Sequence, residues 1–242
     1  MHRFIFILIV FLFNDPLLAQ PMTPESRWVD STLAHMTLEE KVGQLIVADF
    51  VAVYSHQESE NFTRIKRQIE EFHIGGIILA GGAVFDIALM MNELQRLSKI
   101  PLLVAADLES GLGFWHPWRF VRGRAPDLPK FIPGGGTAFP SNMAIGATGN
   151  EDYAYEVGRI TGLEARAVGI HWPLAPVVDV NNNPRNPIVN IRSFGEDPEL
   201  VGKLGAAFVR GCQDGGAIAT PKHFPGHGDT EEDSHMGLPV LN

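Results

Sequence analysis

The sequence has a single cysteine and fewer basic than acidic residues, and each scarcity excludes a class of protein. Cys212 alone cannot form an intramolecular disulfide, and it leaves no cysteine-based zinc site. Lysine and arginine number 19 against 28 aspartates and glutamates, for a net charge of −9. No nucleic-acid partner is expected, because phosphate binding needs a basic surface. With 45% hydrophobic and 19% charged residues, the 242-residue chain suits one folded domain, or most of one.

The apolar run at the N-terminus, residues 4–13, is too short to span a bilayer comfortably. It follows the positively charged residues 1–3 and precedes a candidate cleavage point after Ala19. This layout predicts a signal peptide over residues 1–20, with residues 21–242 exported to the periplasm or outside the cell. We expect no stable membrane insertion after cleavage. An uncleaved N-terminal anchor is the alternative, and it also places the domain outside the cytoplasm.

Short apolar segments alternate with helical segments along most of the chain, which is typical of βα units around a parallel sheet. The phosphate-binding glycine pattern of a dinucleotide fold is missing, so a (β/α)8 TIM-type barrel is favoured over a doubly wound sheet. About five or six of its eight strands are expected here. Apolar strand segments are predicted at residues 44–50, 73–79, 101–106 and 217–221, and residues 171–180 form a further apolar segment interrupted by prolines. Helices are predicted from Thr37 and at residues 61–72, 84–97, 151–168 and 198–214.

Residues 112–136 interrupt this alternation with aromatic and basic side chains, several prolines and several glycines. A loop of this length in a barrel is often a functional rim. An ordered surface insertion without a role in the site is the alternative.

The segment from Ala219 to His235 is dense in titratable groups and follows a predicted strand. Strand ends carry the active sites of barrel enzymes, so this density points to catalysis. Within it, Asp233 can accept from one ring nitrogen of His235 and aim the other nitrogen at a substrate. Such a pair can deliver and withdraw protons near neutral pH. A polar surface loop is the alternative interpretation.

A metal site would use His223, His227, Asp233 and His235, which offer ligands suited to zinc. However, His223 and His227 lie in a loop rich in proline and glycine, so their spacing does not guarantee a shared face. No His-X-His pair ends an early strand either. We therefore predict neither a metal nor another cofactor.

Three segments, in order, resemble the family 3 glycoside hydrolases. Residues 222–228 (KHFPGHG), followed by Asp233-Ser234-His235, resemble most closely the bacterial β-N-acetylglucosaminidase branch, which trims cell-wall fragments. Residues 190–198 (NIRSFGEDP) resemble the arginine-bearing loop of the family, and residues 105–111 (AADLESG) its aspartate-bearing strand end. The resemblance covers roughly residues 30–242. The Asp-Ser-His element separates hexosaminidases from the related β-glucosidases.

The resemblance implies a retaining hydrolase that removes terminal β-linked N-acetylglucosamine, with peptidoglycan fragments as the expected carbohydrate substrate. His235 would be the general acid/base, oriented by Asp233. The side chains implied to hold the sugar next to the scissile bond are Asp107, Arg192, Lys222 and His223. Such contacts accelerate the reaction only if they strengthen toward the oxocarbenium-like transition state.

The family places its aspartate nucleophile on a later strand than the Asp-Ser-His loop, and this chain stops at Asn242. A retaining enzyme needs that second carboxylate. We therefore expect the chain to be the N-terminal part of a longer barrel domain, and to be inactive as a glycosidase alone. A non-catalytic sugar-binding remnant is one alternative, and a metal-dependent barrel hydrolase is another.

Overall fold

The computed structural model describes residues 23–52, 56–113 and 136–240. The predicted signal peptide, residues 1–20, therefore lies outside the described residues. So does nearly all of the predicted insertion at residues 112–136.

The chain divides into two compact units, residues 1–37 and 38–242. The first contains helix α1 (Pro24–His35), which was not predicted from the sequence. The helix begins there because the Thr23 hydroxyl accepts from the Ser26 amide, and because proline suits the first helical position.

The second unit contains a parallel sheet with the strand order β1-β2-β3-β4. Helices lie between successive strands, as the predicted βα alternation requires. The strands are β1 (Val47–Phe50), β2 (Gly76–Leu79), β3 (Leu103–Ala106) and β4 (Trp172–Pro173), and the helices are α2 (Leu38–Gly43), α3 (Glu60–Glu70), α4 (Val84–Leu97), α5 (Asn142–Gly146), α6 (Glu151–Ala167) and α7 (Pro198–Asp214). A short 3-10 helix covers Asn190–Arg192. Across the described ranges, no helix is long and apolar enough to cross a bilayer.

The helix predictions are confirmed to within about two residues, and those for α4 and α7 match at both ends. The start of α7 has a local cause, because the Asp197 carboxylate accepts from the Glu199 amide and Pro198 takes the first position. Strands β1, β2 and β3 are shorter than predicted, since only the last residues of each predicted segment pair with neighbours. Strand β4 covers only residues 172–173 of the apolar segment 171–180.

The strand predicted at residues 217–221 is wrong, and the described sheet therefore has four strands rather than five or six. The Ile218 amide donates to the His171 carbonyl, and the Thr220 amide donates to the Ala175 carbonyl. One segment thus advances two residues while the other advances four, so the ladder is broken by a bulge. A single parallel bridge, Val177 with Lys222, remains.

The core of this unit has two buried clusters. One surrounds β1, β2 and β3 with the inner faces of α3 and α4. The other lies between α6, α7 and the extended segment after β4. Helices α6 and α7 approach closely, because a Cβ at Gly158 would lie 2.1 Å from the Phe208 carbonyl oxygen and one at Gly211 would lie 2.0 Å from that of Tyr155. This packing holds the segment that carries Asp179.

Candidate active site

A network of alternating charges lies beyond the carboxyl end of β3. Lys222 Nζ donates to Asp107 Oδ1 at 2.9 Å and lies 2.7 Å from Glu109 Oε1. Arg192 donates to both oxygens of Glu109, from Nη2 at 2.7 Å and from Nε at 2.9 Å. Such bidentate pairing fixes a guanidinium in one plane. Asp107, Arg192 and Lys222, three of the residues implied to hold the sugar, therefore belong to one network. Glu109 connects Arg192 to Lys222.

Glu109 is ionised in this network despite being almost fully buried. Burial alone would raise the pKa of its carboxyl, but Arg192 and Lys222 outweigh burial and hold that pKa well below its ordinary value. Beside the Glu109–Arg192 pair lies a cavity of about 260 Å³, which Phe139 and Ile191 also line. Glu109 and Arg192 thus each present a charged group to this cavity.

Asp179 lies on the extended segment after β4, and its side chain is completely buried. Its Oδ2 lies 2.6 Å from His223 Nδ1, while its Oδ1 accepts from the His227 amide at 2.6 Å. Burial would raise the pKa of Asp179, but the hydrogen bond from His223 and the other contacts lower it. His223 is therefore held by Asp179 rather than by another predicted site residue.

The loop at residues 222–235 is fixed against the segments that precede the 3-10 helix. The Asn186 amide donates to the carbonyls of His227 and Thr230, at 2.7 and 2.9 Å, and its oxygen accepts from the amides of Ile188 and Val189. Gly228 packs against Val180, where a Cβ would lie 1.6 Å from the carbonyl oxygen. Only glycine permits this approach.

Asp233 and His235 form the predicted pair. Asp233 Oδ1 lies 2.6 Å from His235 Nδ1 and also accepts from the His235 amide at 2.8 Å. The His235 side chain is 60% exposed, so its ring is accessible to a ligand. The arrangement can orient an imidazole for proton transfer.

The structure thus brings the predicted site residues into three groups. Asp107, Arg192 and Lys222 share the charged network, His223 pairs with Asp179, and Asp233 pairs with His235. No role was predicted from the sequence for Glu109 or Asp179. Asn186 was missed. Its signal was weak, since it is one of several asparagines in a loop rich in proline.

Of the residues considered for a metal site, His223 contacts Asp179 and His235 contacts Asp233. Among residues 23–52, 56–113 and 136–240, no group of three or more His, Cys, Asp and Glu side chains is arranged to hold a metal. Burial lowers the pKa of His227, whose Nδ1 lies 2.7 Å from the Thr230 hydroxyl.

The family model described as glycosyl hydrolase family 3 N terminal domain matches residues 37–242. A protein from Cellulomonas fimi named β-N-acetylglucosaminidase/β-glucosidase is 37% identical over 209 residues, which cover 86% of this chain and 33% of that protein. The chain therefore spans about a third of the length of this relative.

Solved structures give the same result. A family 3 β-N-acetylglucosaminidase from Paenibacillus sp. str. FPU-7 superposes with a TM-score of 0.70 at 40% identity, over 85% of this chain and 36% of that one. A structure described as β-glucoside phosphorylase BglX bound to 2FGlc superposes with a TM-score of 0.69 at 30% identity, over 88% of this chain and 35% of that one. The predicted fold class, a (β/α)8 TIM-type barrel, is confirmed. On sequence and structure alike, the chain belongs to the glycosyl hydrolase family 3 N-terminal domain family.

Proposed function

We propose that the protein is a retaining glycoside hydrolase that removes terminal β-linked N-acetylglucosamine. The names of the Cellulomonas fimi and Paenibacillus relatives support the glycosidase activity and the sugar. Peptidoglycan fragments outside the cytoplasm are the proposed natural substrate, in keeping with the predicted signal peptide.

The observation that carries the proposal is the contact between Asp233 and His235. An ionised Asp233 accepts the Nδ1 proton of His235, and this directs Nε2 away from the carboxylate. In the first step, protonated Nε2 gives its proton to the glycosidic oxygen as the bond to the sugar breaks. In the second step, neutral Nε2 takes a proton from the attacking water. The covalent intermediate between these steps needs a carboxylate nucleophile, and none of the described residues is assigned that role.

The charged network is the proposed binding site for the sugar next to the scissile bond. Asp107 can accept from two hydroxyls, while Lys222 and Arg192 donate charge-assisted hydrogen bonds. Lys222 and Arg192 are already held by Glu109, so they need little reorganisation when the sugar binds. His223 completes the proposed set.

Phosphorolysis is a second candidate, favoured by the likeness to the structure described as a β-glucoside phosphorylase. A neutral imidazole would not repel an incoming phosphate as a carboxylate base would. Comparing turnover of one N-acetylglucosaminide with and without phosphate decides between the two. Formation of a glycosyl phosphate would show that the reaction is phosphorolysis rather than hydrolysis.

The acid/base role is tested by His235→Ala in the protein as its gene encodes it. We expect kcat to fall by about 10²–10⁴-fold on a glycoside with a poor leaving group, with little change in ground-state binding. On an activated 4-nitrophenyl glycoside, loss of base catalysis in the second step should still slow turnover. The matched control is His35→Ala, which removes an exposed histidine of α1. Wild-type turnover of the activated glycoside by His235→Ala would remove His235 from the mechanism.

A further inference from the structure

Asp179 is buried and ionised, and the proposed mechanism gives it no task. We propose that Asp179 is a positioning residue that fixes the tautomer of His223, so that Nε2 of this ring accepts a hydrogen bond from a sugar hydroxyl. The ligand in this inference rests on the proposed function. The tautomer itself does not.

The first argument is the chemistry of the contact. Asp179 Oδ2 lies 2.6 Å from His223 Nδ1, and an ionised carboxylate can only accept hydrogen bonds. The proton of a neutral His223 must therefore be on Nδ1. Its Nε2 then carries a lone pair.

The second argument is that the Asp179 carboxylate cannot easily turn. Its Oδ1 accepts from the His227 amide at 2.6 Å and from the His223 amide at 3.4 Å. The backbone carbonyl of Asp179 accepts from the Ser193 hydroxyl at 2.6 Å. Hydrogen bonds thus hold both the side chain and the backbone of Asp179 in place. The fixed carboxylate in turn sets the orientation of the His223 ring.

The third argument is complementarity with the neighbouring groups. Lys222 and Arg192 can only donate, whereas a sugar hydroxyl both accepts and donates. Asp107 can accept from two hydroxyls, and any other hydroxyl that binds here needs a further acceptor for its proton. His223 follows Lys222 in sequence, and its side chain is 37% exposed, so its ring is open to a ligand. A lone pair on Nε2 would be that acceptor.

The test is Asp179→Asn. The His227 amide still needs an acceptor, so the side-chain oxygen of the new asparagine takes the place of Oδ1. Its side-chain nitrogen then takes the place of Oδ2. It then donates to His223 Nδ1, and the ring proton moves to Nε2. Imidazole ¹⁵N NMR, at a pH where the ring is neutral, reports which nitrogen is unprotonated. The His223→Gln spectrum identifies the signals, because they disappear from it.

We expect the unprotonated nitrogen to be Nε2 in the wild type and Nδ1 in Asp179→Asn. We also expect kcat/KM for an N-acetylglucosaminide to fall by about 10- to 100-fold in the variant, by analogy with residues that orient a metal-binding histidine. Asp233→Asn is the matched control, since it makes the same change in the other pair and should leave the tautomer of His223 unchanged.

An unprotonated Nδ1 in the wild type overturns the inference, and this result is available even if Asp179→Asn does not fold. An unchanged tautomer in a folded variant overturns it too. Because the spectrum needs no substrate, it separates this inference from the proposed function. A tautomer switch in a protein that neither binds nor cleaves N-acetylglucosaminides would contradict the proposed function and leave the role of Asp179 in orienting His223 intact.

Discussion

The two aspartate–histidine pairs share one contact distance and differ in their surroundings. In both pairs a carboxylate oxygen lies 2.6 Å from the histidine Nδ1. The Asp179 side chain is completely buried and that of His223 is 37% exposed, whereas Asp233 and His235 are 20% and 60% exposed. The first pair joins residues 44 apart in sequence, and the second joins residues two apart.

Because of this difference, we expect the two pairs to contribute unequally to stability. Asp179 has two backbone amides and a ring nitrogen to satisfy, in a place where water cannot replace it. Asp233 accepts from the amide of His235 within one local turn, as aspartates commonly do in loops. Breaking the buried pair should therefore cost folding free energy. Breaking the exposed pair should cost mainly the orientation of a ring.

The largest effect is expected from Asp179→Ala. It leaves the amide of His227 and the ring of His223 without their acceptor, so the free energy of unfolding should fall by about 3 kcal/mol. Asp233→Ala should stay within about 0.5 kcal/mol of the wild type, because its partners can turn to water. Denaturant unfolding of both variants measures the difference. Equal losses of unfolding free energy in the two variants would show that burial does not make the Asp179–His223 pair the more stabilising one.

The next effect belongs to the exposed pair. Asp233→Asn should lower kcat/KM by about 100-fold on a glycoside with a poor leaving group, since the amide no longer holds the His235 tautomer that proton transfer needs. Its thermal midpoint should match the wild type. Kinetics with leaving groups of increasing pKa check the prediction, because a variant with impaired acid catalysis loses most on the poorest leaving group. A uniform loss across the series would point to misfolding instead.

The smallest effect is on the dependence of stability on pH. The pKa of Asp179 is lowered in the folded protein, so its contribution to stability is present above the unfolded-state pKa of about 4. As the pH falls through the folded-state pKa, this contribution is lost, because the unfolded chain binds the proton first. Glu109 acts in the same direction.

Unfolding free energies measured between about pH 6 and pH 3 should therefore fall less steeply in Asp179→Asn than in the wild type. Asp233→Asn serves here as the exposed counterpart in the same assay. A wild-type slope in Asp179→Asn would mean that other carboxylates account for the acid sensitivity.

What could be predicted from the sequence follows the same division between local and long-range causes. The start of helix α7 could be predicted, because Asp197 and Pro198 are local start signals. The Asp233–His235 pair was predicted because two residues of spacing nearly determine it. Both depend on a few neighbouring residues.

The long-range parts could not be predicted in the same way. Nothing near Asp179 in sequence indicates that it meets His223, and Glu109 meets Arg192 across 83 residues. The strand expected at residues 217–221 failed because its partner advances four residues where it advances two. Such a bulge depends on how two distant segments pack.

The position of Lys222 between Asp107 and Glu109 also affects the order in which parts of the protein form during folding. Lys222 lies 115 residues beyond Asp107, and contacts between distant residues form slowly because a long loop must close first. Until that loop closes, Glu109 lacks one of the two cations that lower its pKa. Binding of the proposed sugar ligand should therefore appear only late in refolding, after the helices have regained their circular dichroism signal.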